Sequence, residues 1–212
     1  MKNVIFWGGT GQSKVLNEAI SYGDFKLVCI VDNREIKNLI NDDVIFLRGF
    51  EGLTGWLNKQ VSINQIYCAV AIGGDRGRER LSLLKKMKSI GLSPLTIVHP
   101  TAFVAQNAII GEGCQILAHS TVCVNVKIGA GSIINSAASI DHDCNLGKGV
   151  HIAPGAHLAG EISIGDGSFI GTGATILPGI KIGKDVIVGA GAVVLKDIRN
   201  GNKVVGNPAR QI

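Results

Sequence analysis

The chain has 212 residues, of which 46% are hydrophobic and 17% charged, with 21 Lys and Arg against 16 Asp and Glu. That length holds one or two domains, and no apolar run approaches the roughly eighteen residues of a membrane span, which argues against membrane insertion. The formal charge of +5 suits an anionic partner, yet aromatics are only 5% and no dense Lys/Arg run interleaves with them, so nothing singles out nucleic acid; coenzyme A and sugar nucleotides are polyanions that suit the charge as well.

Taken in order, Val4 to Trp7 is a short apolar strand that runs into Gly8-Gly9-Thr10-Gly11-Gln12, followed by a predicted helix from about Lys14 to Ser21 and a buried-type strand, Lys26 to Asp32. Strand, glycine turn, helix and strand open a Rossmann-like unit, with room for an anion at the helix start and an acid, Asp32, placed to meet a ribose hydroxyl. The pattern lacks the third glycine of the dinucleotide fingerprint, so a plain strand-to-helix turn remains open. A further strand, Ile66 to Ile72, ends at Gly73-Gly74-Asp75. Arg76 to Ile90 reads as an amphipathic helix with Leu81, Leu84, Met87 and Ile90 on one face. Leu95 to Val98 reads as a last strand before His99-Pro100. The first domain is thus residues 1–98, short for a full dinucleotide fold but long enough for a mononucleotide, and residues 99–212 form the second.

From Val104 to Val194 every sixth residue is Val, Ile or Leu, sixteen of sixteen. A period of six fits neither a helix nor a lone strand; it is the period of a parallel β-solenoid whose triangular coils take about eighteen residues each. The aliphatic residue points to the axis. The residue two before it is small at most stops, as at Ala108, Ser120 and Ala138, and is read as filling the corner. Glycine often follows the stop, as at Gly111 and Gly129, and is read as easing the turn. Cys114 and Cys144 occupy the small corner position, and the five cysteines contain no C-x-x-C pair. Together with the lack of a secretory signal, this leads us to expect a cytoplasmic protein with free thiols.

Within this apolar wall, Asp141-His142-Asp143 are consecutive polar residues. His142 falls two after an inward stop, so its ring should point out of the solenoid, where an adjacent carboxylate can orient it as a proton acceptor. A solvated corner histidine is the bland alternative. His151 lies nine residues on, half a coil away, so the two should face apart within one subunit and could meet only across a subunit boundary.

Several stretches carry a resemblance that covers essentially the whole chain: Gly8-Gly9-Thr10-Gly11, His99-Pro100-Thr101-Ala102, Asn135 through Cys144, His151-Ile152-Ala153-Pro154-Gly155-Ala156, and Gly206-Asn207-Pro208-Ala209. It resembles the hexapeptide-repeat nucleotide-sugar acyltransferases, which include bacillosamine-pathway and sialic-acid-locus enzymes. The resemblance implies a left-handed hand for the β-helix, a homotrimer with active sites at subunit interfaces, and acetyl-CoA as co-substrate with no metal. It implies His142 as general base, Asp143 as its acidic partner and Asn135 as an active-site amide. His151 would lie beside the acetyl group, with Gly160, Thr172 and Ala190 along the acyl-donor groove. Gly9, Gly11, Gln12, Asp32 and Gly73 would bind the nucleotide-linked sugar. Relatives often carry His where this chain has Gln12. The implied reaction is direct attack of an amine on the thioester, the oxyanion being stabilised by a backbone N–H or by His151.

The resulting expectation is N-acetylation of a nucleotide-linked amino sugar, a 4-amino-4,6-dideoxy sugar, for surface-glycan or glycoprotein synthesis. O-acetylation of a sugar such as sialic acid remains an alternative. A γ-type carbonic anhydrase is a remote one, since no pair of histidines stands five apart as in its zinc site. The unbroken repeat has no loop to enclose a sugar, so recognition falls to the first domain. Basic residues near the end, Lys181, Lys184, Lys196, Arg199, Lys203 and Arg210, either meet the phosphates of coenzyme A or form a solvated surface.

Overall fold

The computed structural model describes residues 1–36, 40, 43–60 and 65–212. The first domain is a parallel five-stranded sheet in the order β3-β2-β1-β4-β5, formed by β1 Lys2–Trp7, β2 Phe25–Asp32, β3 Ile45–Arg48, β4 Ile66–Val70 and β5 Ser93–Pro94. Alternate residues of β1 enter opposite cores. Val4 and Phe6 pack with Leu16, Ala19 and Ile20 of α1 (Gly11–Ile20), while Ile5 and Trp7 pack with Leu53 and Leu57 of α2 (Gly49–Leu57) and Leu84 and Met87 of α3 (Gly77–Ser89). Burial on both faces explains why these strands read as continuous apolar runs rather than as alternating ones.

Three details depart from the expected elements. The first helix begins at Gly11, so the glycine turn supplies its first residue. β3 and α2 lie in a stretch whose sequence signal is weak. The strand expected at Leu95 to Val98 shortens to Ile97–Val98, which pairs with Gln115–Ile116 and already belongs to the second domain's sheet, while Ser93–Pro94 before it pairs with β4. Pairing partners, which local propensity does not encode, decide which sheet an apolar residue joins.

The second domain is a parallel β-helix. Two-residue strands recur every six residues, each ending on one of the sixteen aliphatic stops, and all but the last three pair with the strand eighteen residues on, as Ile110 with Ile128 and Ile128 with Leu146. Three sheets result, and the inward stops stack into one continuous core with Ile116, Val122, Ile140, Ile152 and Ile170 fully buried. The residue two before each stop also faces this core at the corners. It need not be small, because Val126, Val150, Ile162 and Val186 are fully buried there beside Ala138 and Cys144.

The glycine after the stop has a different role from the one expected. The left-handed backbone conformation falls three residues after the stop, at Gly113, Asn125, Asp143 and Glu161. The glycine directly after the stop is instead required by close approach: a Cβ on Gly111 would stand 2.6 Å from the Ala130 nitrogen, and one on Gly171 2.6 Å from the Ala190 nitrogen. Stacked coils touch backbone to backbone at these points.

The two domains share a core. Leu117 and Ile133, which point out of the column, are fully buried among Val4, Phe6 and α1. α3 lies along one corner of the column. A Cβ at Gly77 would overlap the Gly149 carbonyl oxygen, and Arg80, 1% exposed, donates to the carbonyls of Gly131 (2.6 Å), Gly149 (2.8 Å) and Ile72 (2.9 Å). The buried face of α3 is therefore Gly77, Arg80, Leu84 and Met87, with Leu81 half-buried beside it. Burial lowers the Arg80 guanidinium to about 10, which still leaves it charged at neutral pH. One cation thus joins two coils of the column to the end of β4.

Candidate active site

The strand order places the switch point of the first sheet between β1 and β4. In an open parallel sheet the crevice forms outside the carboxyl ends at such a point. Here it is bounded by Gly8 to Gln12 and by Ala71 to Gly74, and Gly8 passes so close to Ala71 that a Cβ would lie 2.6 Å from the Ala71 carbonyl oxygen. Asp32 stands at its rim, 6% exposed, accepting from the Gly9 N–H at 3.1 Å and the Arg34 N–H at 3.0 Å. Burial alone would raise the Asp32 carboxyl, but the hydrogen bonds from the Arg34 side chain and from both backbone groups outweigh it and hold the carboxyl below its ordinary range. A 240 Å³ cavity beside it is lined by Trp7, Thr10, Asp32, Arg34 and Arg76 among others.

The floor of the crevice is a face of the column. Gln115, Ile133, His151 and Phe169 stack outward at eighteen-residue intervals. Gln115, 1% exposed, donates to the Val70 carbonyl at 2.8 Å and accepts from Gln12 Nε2 at 2.7 Å. That pairing leaves Gln12 Oε1 as an acceptor beside Gly73. A Cβ on Gly73 would touch both Gln12 Oε1 and His151 Cε1 at 3.7 Å, so Gln12, Gly73 and His151 converge.

His151 is 4% exposed, with Nδ1 3.1 Å from the Gly74 carbonyl and Nε2 3.1 Å from Asn135 Nδ2. A carbonyl can only accept, so Nδ1 carries the proton. The Asn135 amide is oriented by its Oδ1, which accepts from the Ser136 N–H at 2.8 Å, so Nδ2 donates to His151 Nε2. Burial lowers His151 to about 4, keeping the ring neutral. The one proton of the ring is directed at the Gly74 carbonyl, and Nε2 holds the Asn135 amide, whose second N–H has no partner among the described residues.

The second group lies on another corner. The turn at Asp143 (φ 59°) brings Asp143 Oδ2 to 2.8 Å from His142 Nδ1, while Asp141 Oδ1 accepts from the His142 backbone N–H at 2.7 Å. With Nδ1 donating to Asp143, Nε2 is the basic nitrogen. It lies over Gly160, one coil below, where a Cβ would stand 2.6 Å from both Nε2 and Cε1. The bond to Asp143 raises His142 above its ordinary value; desolvation opposes this, and the charges of Asp141, Asp143 and Glu161 add to it. Further along the same corner stand the exposed side chains of Leu177 and Leu195, and then Lys196, which with Arg199 and Arg210 lines a 710 Å³ cleft at the foot of the column.

The sequence-predicted residues therefore fall into two sets. Gly9, Gly11, Gln12, Asp32 and Gly73 bound the crevice, which Asn135 and His151 adjoin. Thr172 and Ala190, both exposed, continue from the Asn135 corner, not from the Gly160 corner, because they follow strands of the same sheet as His151. The expectation that they share one groove with Gly160 does not hold within a single chain. Gln115 and Arg80 escaped the sequence reading. Their signals were present: Gln115 is, with His151, one of two polar members of an outward row that also holds Ile133 and Phe169, and Arg80 precedes Leu84 by four and Met87 by seven, which puts it on the buried helix face. Among the described residues, no three His, Cys, Asp or Glu side chains group as a metal centre.

Comparison with known proteins agrees with this architecture. The family described as bacterial transferase hexapeptide (six repeats) matches residues 161–196. UDP-N-acetylbacillosamine N-acetyltransferase from Bacillus subtilis (strain 168) is 34% identical over 130 residues, which is 56% of this chain and 52% of that one, so the match spans about half the length of that relative. Among solved structures, the acetyltransferase domain of PglB from Neisseria gonorrhoeae FA1090, in complex with acetyl coenzyme A, superposes with a TM-score of 0.89 at 35% identity over 100% of this chain and 99% of that one. A histidine-to-asparagine variant of perosamine N-acetyltransferase from Caulobacter crescentus, in complex with CoA and GDP-perosamine, gives 0.91 at 32% identity over 100% and 97%. The column is accordingly of the left-handed β-helix type.

Proposed function

We propose, from the premise that this chain belongs to the hexapeptide-repeat N-acetyltransferases of nucleotide-linked sugars, that it moves the acetyl group of acetyl-CoA onto the free amine of a nucleotide-linked amino sugar. The observation that carries this reading is the division of the polar residues into two half-sites. A histidine with a free basic nitrogen sits above a glycine on one corner; a crevice with an amide donor opens at another.

The nucleotide occupies the crevice beside Asp32, with its diphosphate at the start of α1, where unpaired backbone N–H groups favour an anion. The sugar amine, at C4 of a 4-amino-4,6-dideoxy sugar, lies near Gln12 and Gly73. The pantetheine arm runs down the corner past Gly160, Leu177 and Leu195. From His142 to Lys196 is three coils, about 14 Å at the usual strand spacing, which brings the anionic end of the coenzyme to the basic cleft.

In the reaction the amine nitrogen attacks the thioester carbonyl carbon and its proton passes to His142 Nε2. The oxyanion takes the free N–H of Asn135 or a backbone N–H. Collapse expels the coenzyme thiolate, which receives the proton from His142, leaving an acetamido sugar and coenzyme A. No covalent enzyme intermediate is needed, because a deprotonated amine is a strong nucleophile.

The half-sites meet across a boundary in a homotrimer, the His142–Gly160 corner of one subunit against the Asn135–His151 corner of its neighbour. Mixing His142→Ala subunits with Asn135→Ala subunits, each inactive alone, is expected to restore activity, since a mixed trimer contains an intact composite site. An active monomer, or no recovery in a mixture shown to have exchanged subunits, overturns the arrangement. The product serves surface-glycan or glycoprotein synthesis in the cytoplasm. Among the described residues, no helix is long and apolar enough to cross a membrane.

The decisive assay is a panel of UDP-, dTDP- and GDP-linked 4-amino sugars with acetyl-CoA, read by release of free coenzyme A. Turnover of at least one amino sugar is expected. Turnover only of sugars that lack the amine, or of none, removes the reading.

A further inference from the structure

We propose that Asn125 is a positioning residue that orients the Asp143–His142 pair from one coil above it. Asn125 and Asp143 stand eighteen residues apart, so they stack on the same corner. Asn125 Nδ2 donates to Asp143 Oδ1 at 2.9 Å, and the other oxygen of that carboxylate, Oδ2, faces His142 Nδ1 at 2.8 Å. Asn125 is itself held from the coil above: its Oδ1 accepts from Asn107 Nδ2 at 2.6 Å and its backbone N–H donates to Asn107 Oδ1 at 3.1 Å. The result is a ladder of side chains, Asn107, Asn125, Asp143 and His142, down one edge of the column.

The physical need for it is plain. Asp143 is exposed and sits at the tip of a turn, where a carboxylate rotates freely about its last bond. A donor locked to one oxygen turns the other toward the imidazole. That fixes which ring nitrogen carries the proton and keeps Nε2 over Gly160. Asn125 has a φ of 60°, a conformation that asparagine tolerates better than most residues and that glycine adopts at Gly113, Gly131 and Gly149 in equivalent turns. The turn itself does not require the amide; the carboxylate below does.

The orienting role rests on geometry alone, and only its effect on rate rests on His142 being the base. The charged groups facing His142 are Asp141, Asp143 and Glu161, and Cys123 adjoins Asp141. The test uses the full-length protein with Asn125→Gly, which keeps the backbone conformation and removes the amide, and Asn125→Asp, which puts a second carboxylate beside Asp143. Imidazole NMR titration of His142, identified by loss of its signal in His142→Ala, is followed together with kcat and KM.

In Asn125→Gly the carboxylate swings toward water, so the His142 pKa is expected to fall, with kcat down about tenfold, the rate equivalent of one lost hydrogen bond to a charged group, and KM little changed. In Asn125→Asp the added negative charge is expected to raise the His142 pKa. Opposite displacements at an unchanged melting temperature establish positioning, which a merely structural role would not produce. Opposite displacements with kcat unchanged also establish it and remove His142 as the base. An identical His142 titration in wild type and both variants overturns the proposal.

Discussion

Replacing His142 by alanine is expected to lower kcat by roughly 10²–10⁴-fold and to leave the melting temperature where it is. The ring is half exposed, makes no core contact, and bonds only to Asp143 beside it. Its removal therefore costs the fold nothing that water does not replace. The pH profile supplies a second signature. A general base works only when deprotonated, and the Asp143 bond, with the neighbouring carboxylates, holds His142 above its ordinary value. Activity of the wild-type protein is thus present at high pH and lost as pH falls through that raised value. In the variant this acidic limb disappears. A variant with full kcat, or one that keeps the same limb, removes His142 from the chemistry.

Arg80→Met is expected to lower the stability of the folded chain by about 2–4 kcal/mol, which for a chain of this size corresponds to roughly 5–15 °C in Tm. The Met side chain keeps the apolar stem but provides no donor, so the carbonyls of Ile72, Gly131 and Gly149 are left buried without their partner. Each orphaned carbonyl costs about 1–3 kcal/mol. Relief from burying a cation offsets part of the sum. Ile72 adjoins Gly73 and Gly74, and the Gly74 carbonyl is what sets the His151 proton. Hydrogen exchange at Gly73 and Gly74 should therefore accelerate in the variant before the column itself loosens. A melting curve that superimposes on the wild type would show that the three contacts contribute nothing net.

The column was legible because its signal is long and strictly periodic. Sixteen aliphatic stops at a period of six specify a β-solenoid, and the register of eighteen follows from three sides of six. The His142–Asp143 pair was legible for the same reason: a known register tells which residues point outward, and adjacent residues are bound to be near each other. The glycines show the limit of that reading. Their spacing was visible, but whether a glycine serves a turn or a close approach depends on the coil beneath it. The structure assigns Gly111 and Gly171 to close approach and places the left-handed turns two residues further on.

Contacts between the domains were not legible, since no period links α3 or the Gly73–Gly74 turn to a coil some fifty to eighty residues later. The spacing of Arg80 from Leu84 and Met87 puts it on the buried helix face, but its three carbonyl partners are seen only in the folded chain. His151 was singled out by the family resemblance, yet its protonation and its partner Asn135 came from packing against Gly74 and the neighbouring coil. The amino-acid sequence by itself determined the repeating column and the Rossmann-like opening, because these depend on spacing along the chain, while the candidate site residues came with the family resemblance. The tertiary structure alone decided which of those residues meet and which nitrogen of each histidine carries the proton, because hydrogen bonding and burial depend on neighbours that spacing along the chain does not identify.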